Sequence, residues 1–170
     1  MLESEKHRPM QIEFRTVTEK DILSVMDINR ICLPENYTYG FFEELAKNYP
    51  KSFWVAVHSG RIVGYVMCRV ERIFSKLDFL KVKRAGHIVS VAVLPEYRRR
   101  GIAEELMRRS LKALKFEYGC DEAYLEVRVS NLPAIELYRK LGFQEREILR
   151  RYYADGEDAI LMAIRLQGNG

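Results

Sequence analysis

Cysteine is scarce in this sequence: Cys32, Cys68 and Cys120 among 170 residues. The three are far apart, odd in number, and form no Cys-x-x-Cys pair. That argues against a disulfide framework and a zinc knuckle, and makes a reducing cytoplasm the expected location. Long apolar runs are also missing. The longest nearly uncharged stretch runs from Ile88 to Tyr97 and is interrupted by Glu96, far short of the roughly 20 residues a membrane helix needs. The opening Met-Leu-Glu-Ser-Glu-Lys-His-Arg-Pro carries charge where a signal peptide would need an apolar centre. Neither sign of charge dominates: 28 Lys and Arg face 24 Asp and Glu, a net +4. Such a surplus is too small to indicate nucleic acid without a basic stripe or face. No repeat, low-complexity tract or linker divides the chain.

What is present is an ordinary globular balance, 48% apolar and 31% charged residues. This excludes a disordered or collagen-like chain. The length suits one domain, which buries roughly 70% of its unfolded surface. The expected layout is a flexible arm over 1–10, a single domain over 11–166 and a flexible tail over 167–170.

Periodicity and punctuation predict the elements. Residues 11–16 read as a strand. Thr18-Glu-Lys-Asp21 resembles a capping box at the start of a helix. Pro34 breaks that helix by disfavouring helical backbone at Leu33, and 41–48 form a second helix. The segments 52–58 and 61–70 flank Ser59-Gly60 as a β-hairpin. Residues 72–85, of mixed charge, read as a loop. Residues 87–94 are nearly all β-branched or small, a strand buried on both faces as in a parallel sheet. Strand parity sets His87 on one face with Val89, Val91 and Val93, and Glu126 with Tyr124 and Arg128. A helix covers 102 to about 118, followed by Gly119 as a stop. Then come a strand over 122–129, a helix over 132–141 ended by Gly142, and strands over 143–153 and 158–166 joined by Ala154-Asp-Gly-Glu157. Strands alternating with helices, then a closing hairpin, imply a mixed sheet with helices on both faces.

The most informative segment is the buried strand, then Arg98-Arg-Arg-Gly101-Ile-Ala103, then a long helix. A helix N-terminus offers unpaired N–H groups and about half a positive charge. Gly101 lets the backbone approach a ligand, Ala103 keeps the first turn open, and Arg98, Arg99 and Arg100 surround the approach. The segment is either a diphosphate pocket or a solvated basic turn. There is no Gly-x-x-x-x-Gly-Lys-Ser/Thr and no Gly-x-Gly-x-x-Gly, so the P-loop and dinucleotide folds are not indicated.

Arg98-x-x-Gly101-x-Ala103 after a Val-rich strand resembles the acetyl-CoA pyrophosphate motif of the GNAT acetyltransferase superfamily. Asn131-Leu-Pro-Ala134-Ile-Glu-Leu-Tyr138, then Leu141-Gly-Phe143, resembles its second cofactor motif. Ile31-Cys-Leu-Pro-Glu-Asn-Tyr37, Gly86-His-Ile, Tyr124-Leu-Glu-Val-Arg-Val-Ser-Asn131 and Tyr152-Tyr-Ala-Asp-Gly-Glu-Asp158 narrow the resemblance to the N-terminal α-amino acetyltransferases. Within these it points to the catalytic subunit of NatA and its stand-alone archaeal, Ard-type counterparts. The resemblance covers about 12–166. It implies a GNAT α/β fold: a mixed, mostly antiparallel sheet of about seven strands, a parallel central pair, and helices on both faces. It also implies an acetyl-CoA-dependent enzyme that acetylates the α-amine of protein N-termini starting with Ser, Ala, Thr or Met, by direct attack in a ternary complex. No Cys or Ser sits in a recognisable nucleophile setting such as Gly-x-Ser-x-Gly.

By resemblance, His87 and Glu126 supply the base, and Tyr138 protonates the leaving thiolate. On the residues alone, His87 could equally be a strand-edge histidine and Glu126 the ion-pair partner of Arg128. The pair could also hold a metal, but two ligands are too few to specify one. Acetyl-CoA would be held by Val91, Ala92 and Val93 on the strand and by Arg98 through Glu104, including Ile102. Asn131, Ala134, Tyr138, Arg139 and Lys140 complete that set, with Asn131 a candidate N-cap as well. Leu33, Glu35, Tyr37, Val91, Tyr152 and Tyr153 would border the peptide groove. The alternative for Tyr152-Tyr153 is cross-strand packing beside a turn. Expected partners are N-terminal peptides and the ribosome, with no membrane and no specific nucleic acid, in a monomer or weak homo-oligomer. The competing functions are acetylation of a lysine or small amine, and an RNA- or ribosome-binding module.

Overall fold

The computed structural model describes residues 10–167. Its strands are β1 (Glu13–Thr16), β2 (Trp54–His58), β3 (Arg61–Phe74), β4 (Val82–Val93), β5 (Glu122–Arg128), β6 (Gln144–Leu149) and β7 (Ala159–Arg165). They form one sheet in the order β1-β2-β3-β4-β5-β7-β6. Every neighbouring pair is antiparallel except β4 and β5. The helices are α1 (Ile22–Cys32), α2 (Tyr39–Asn48), α3 (Ile102–Phe116) and α4 (Leu132–Leu141). The expected mixed sheet with one parallel pair is the one found. The expected arm and tail fall outside the described residues apart from Met10 and Gln167. Gln167 is tied down, its side-chain amide donating to Lys115 O (3.2 Å) and Cys120 O (3.0 Å).

Local chemistry explains most boundaries. Thr18 N–H donates to Asp21 Oδ2 at 2.7 Å, and Arg15 grips the same carboxylate through both Nη atoms at 2.6 and 3.0 Å. The capping box starts α1 by this route, through one 3-10 turn. Leu33, preceding Pro34, is extended, which ends α1. Thr38 Oγ1 accepts from Phe41 N–H and starts α2 at Tyr39, two residues before the expected start. Ser59 and Gly60 both take positive φ, 48° and 78°, as a two-residue hairpin turn of this twist requires.

Alternate residues of β3 set the layers. Tyr65 reaches Asn29 of α1, whereas Cys68 reaches Ser110 of α3. Helices therefore cover both faces, with α4 beside α3. Gly86 of β4 lies against α3 so closely that an added Cβ would stand 2.5 Å from Leu114 Cδ1.

Four expectations need correction. Residues 72–85 are not a loop: β3 continues to Phe74 and β4 begins at Val82. The pairs Arg72↔Arg84 and Ile73↔Lys83 are real ladder positions, where exposed arginines beside half-buried Ile73 and Lys83 hide the strand pattern. Only 75–81 is irregular, anchored by buried Glu122, which accepts from Ser75 Oγ (2.5 Å) and Lys76 N–H (2.8 Å). Next, β4 is paired along its length with antiparallel β3 and only through Ala85–His87 with parallel β5. Its burial on both faces comes from the helices rather than from a parallel sheet. Third, β4 does not keep a single parity. Met67 pairs with Ser90 but Cys68 with Ile88, so Val89 is an extra residue. Beyond this bulge the faces exchange: His87 shares its face with Ser90 and Ala92, not with Val91 and Val93. Finally, β6 stops at Leu149, and 150–158 form a loop. Asp158 draws that loop in by accepting from Arg151 N–H (2.9 Å) and Arg150 Nη1 (3.1 Å).

Candidate active site

The bulge in β4 coincides with a parting of the sheet. The β4–β5 ladder holds Ala85↔Glu122, Gly86↔Ala123 and His87↔Tyr124, and then ends. Beyond this point the C-terminal halves of the two strands are not paired with each other, which leaves room for a cleft between them. The turn leading into α3 brings the helix N-terminus beside β4. Arg99 and Gly101 take positive φ, 60° and 78°, and the first helical bond runs from Glu105 N–H to Gly101 O. The amides of Ile102, Ala103 and Glu104 therefore have no carbonyl within the helix to bond. A Cβ on Gly101 would meet nothing within 4 Å, so the loop faces open space.

The other residues expected at the cofactor divide into two groups. Arg99 and Arg100 are exposed and unpaired among the described residues, and Ala134 and Ala103 are half-buried. Several side chains are already engaged. Arg98 folds back, its Nε donating to Val93 O at 2.9 Å. Glu104 bonds Lys140 (2.9 Å) and Arg108 (2.8 Å), and Arg139 pairs with Glu145. Asn131 Oδ1 accepts from Ala134 N–H at 3.3 Å and so caps α4. Tyr138 lies in the core against Phe143, and burial pushes its phenol up to about 12.

Where the ladder ends, His87 Nε2 and Glu126 Oε2 are 2.7 Å apart. The imidazole lies flat on the Tyr124 ring, centroids 4.4 Å apart and planes within 3°. Tyr124 OH donates to Glu71 Oε2 at 2.7 Å, and Arg69 Nε stands 2.5 Å from Glu71 Oε1. Burial, then the bond to Glu71, raises the Tyr124 phenol well above its ordinary range. The alternative pairing of Glu126 with Arg128 is not found. Arg128 instead bonds Glu35 (2.5 Å), Asp155 (2.8 Å) and Glu157 (3.0 Å). Its guanidinium also lies 4.1 Å from the centre of the Tyr153 ring.

Those contacts join the two walls of a groove above the His87–Glu126 pair. One wall is the 33–38 turn. Glu35 O accepts from Asn29 Nδ2 (3.1 Å), Tyr37 stacks on Phe41 (centroids 4.9 Å), and Leu33 packs on the core. The other wall is the 150–158 loop, with Tyr152 and Tyr153 edge to face at 5.0 Å. They pack on each other, and Tyr153 on Arg128, rather than as a cross-strand pair. Burial and then the carboxylates of Glu35 and Glu126 raise the Tyr37 phenol; burial and then Glu126 and Tyr37 raise that of Tyr152. These side chains thus share one electrostatic neighbourhood. Among the described residues, no three His, Cys, Asp or Glu side chains converge as a metal site requires.

Residues 22–143 match the family model described as the acetyltransferase (GNAT) family. The chain belongs to that family. This GNAT acetyltransferase is 51% identical to an N-alpha-acetyltransferase of Sulfurisphaera tokodaii over 164 residues, 96% of this chain and 98% of the relative. It is 36% identical to the N-terminal acetyltransferase A complex catalytic subunit of Arabidopsis thaliana, over 91% of this chain and 78% of that one. Its fold is similar to a chain in the crystal structure of the NatC complex bound to Gag peptide and CoA. That match has a TM-score of 0.82 and 26% identity, and covers 93% of this chain and 100% of that one. The motifs quoted from the sequence include Tyr124 and Arg128 but assign them none of these contacts, and they do not include Arg69 or Glu71. Arg69 falls inside the strand expected over 61–70, and Glu71 is the first residue beyond it.

Proposed function

We infer that this chain is an N-alpha-acetyltransferase that moves an acetyl group from acetyl-CoA to the free α-amine of a protein N-terminus, by direct attack in a ternary complex. The observation that carries this reading is the position of the His87–Glu126 pair. It lies where the β4–β5 ladder ends, with the phenols of Tyr37 and Tyr152 close enough to feel the Glu126 carboxylate. The groove suits an extended chain end, and the tyrosine hydroxyls can hold a peptide backbone without reading its sequence. Relatives named N-alpha-acetyltransferase at up to 51% identity support it.

Acetyl-CoA fits this chain on two counts: the β4–β5 ladder ends at His87, and α3 opens with amides that have no helical partner, next to Gly101, where an added Cβ would meet nothing within 4 Å. Bound there, it supplies an activated acetyl thioester. Ile102, Ala103 and Glu104 N–H groups, with Arg99 and Arg100, take the diphosphate at the helix N-terminus. Asn131 and Ala134, opening α4, border the cleft, and Tyr138 stands behind them. Backbone N–H groups of the Val91–Val93 stretch would serve as donors to the acetyl oxygen. An α-ammonium has a pKa near 8, so a modest base frees its lone pair. The His87 Nε2–Glu126 Oε2 pair receives that proton, directly or through water. Tyr138, still a phenol up to about pH 12, donates to the departing sulfur. Glu35, held by Arg128, and Leu33 shape the pocket for the first residue. The same reading places the enzyme in the cytoplasm, monomeric or weakly self-associating, meeting new N-termini at the ribosome.

The test is thiol release from acetyl-CoA with Ser-, Ala-, Thr- and Met-started peptides, the same peptides blocked at the N-terminus, and an internal-lysine peptide. Turnover is expected with free N-termini alone. Turnover on blocked, lysine-containing peptides would transfer the assignment to a lysine acetyltransferase.

A further inference from the structure

The His87 imidazole makes one hydrogen bond, between Nε2 and Glu126. Its Nδ1 is buried with no hydrogen-bond partner among the described residues. A single bond leaves the ring free to rotate about that contact, so another group must set its plane. Tyr124 does so: the parallel register puts it directly beside His87, and the two rings lie within 3° of coplanar stacking. Tyr124 is itself fixed at both ends. Its hydroxyl donates to Glu71 Oε2 at 2.7 Å, and Lys76 Nζ sits 5.3 Å from its ring centre. Lys76 is held there by its own backbone N–H bond to buried Glu122. Glu71 Oε1 also stands 3.7 Å from His87 Nδ1, so one carboxylate borders both rings.

We propose that Glu71 and Tyr124 are positioning residues for acetyl transfer: Glu71 pins the Tyr124 hydroxyl, and the Tyr124 ring holds the His87 imidazole in the plane that keeps Nε2 on Glu126. Neither residue reaches the reacting atoms. The kinetic part of the proposal rests on the N-alpha-acetyltransferase reading; the structural part does not.

The experiment uses the full chain as wild type, Glu71→Ala, Glu71→Gln, Tyr124→Phe and the Glu71→Ala/Tyr124→Phe double variant. Steady-state kinetics with a free N-terminal peptide are combined with ¹⁵N NMR of the imidazoles, the His87 signals being those lost in His87→Ala. Glu71→Ala and Tyr124→Phe should each lower kcat roughly threefold to tenfold, the worth of one net hydrogen bond, and leave the acetyl-CoA KM in place. The double variant should be no worse than either single one, because both break the same link. Glu71→Gln keeps an oxygen for the Tyr124 hydroxyl and should recover most of the loss. The His87 ring signals should shift or broaden in Glu71→Ala and Tyr124→Phe. Unchanged kcat, additive losses, or His87 signals that stay in place would overturn the proposal. If Glu71→Ala does not fold, Tyr124→Phe, which preserves the ring, decides it on the same readouts. If the wild type acetylates no free N-terminus, the functional reading fails, and the ring signals still decide whether Glu71 orients His87.

Discussion

Tyr138 shows how burial alone holds a proton on a side chain. Its phenol has been moved from about 10 to about 12 because the core disfavours the phenolate. The direction is up, so the proton is retained throughout the working range. The native state gains stability from this group below the unfolded value near 10 and loses it as pH rises through the folded value. Replacing the hydroxyl should therefore cost the same factor at every moderate pH. Tyr138→Phe is expected to lower kcat about 100-fold or more. The wild-type-to-variant ratio should stay level between about pH 7 and pH 9.5, as a pH–rate profile of both proteins would show. Other residues divide differently between roles. Asn131 satisfies its cap within the chain, and Arg98 spends its Nε on Val93 O. Their types and spacing matched a cofactor motif, yet side-chain direction depends on neighbours that a motif does not contain.

At the level of elements, the β4–α3 unit places the chemistry. The β4–β5 register sets His87 beside Tyr124, and the Val89 bulge, just past the point where the strand leaves β5, exchanges the faces of the residues beyond it. Gly86, next to His87, is needed for a different reason: fully buried Leu114 of α3 occupies the space of its missing Cβ. Gly86→Ala should thus cost about 1–3 kcal/mol by overpacking, visible as a lower urea midpoint with an unchanged slope. Where punctuation was strong, boundaries were legible. Leu132–Leu141 is a helix over its expected span because Asn131 caps one end and Gly142, at φ 105°, ends the other. The long β3–β4 hairpin was not legible past Val70. Its outer rungs mix charged and apolar residues, Arg72 with Arg84 and Phe74 with Val82, and only the partner strand makes them β-structure.

Across the whole molecule, Arg128 is the residue that gathers separate segments. Rising from β5, it links the turn after α1 through Glu35 to the β6–β7 loop through Asp155 and Glu157. Its removal leaves three carboxylates facing one another without a cation, at the mouth of the groove. Arg128→Ala should raise the peptide KM about tenfold, the cost of losing charge-assisted hydrogen bonds from a half-buried site. The acetyl-CoA KM should stay within error, and initial-rate kinetics with each substrate varied in turn would separate the two. The sequence by itself determined the element order, the mixed sheet, the cofactor-motif loop and the family. Those follow from periodicity, caps and short motifs, which are local. Only the tertiary structure decided that Glu126 turns to His87, that Arg128 turns to Glu35 rather than to Glu126, and that Glu71 and Tyr124 stand behind the imidazole. These hydrogen bonds span from 39 to 93 residues of chain, and they depend on strand register, which no local pattern encodes.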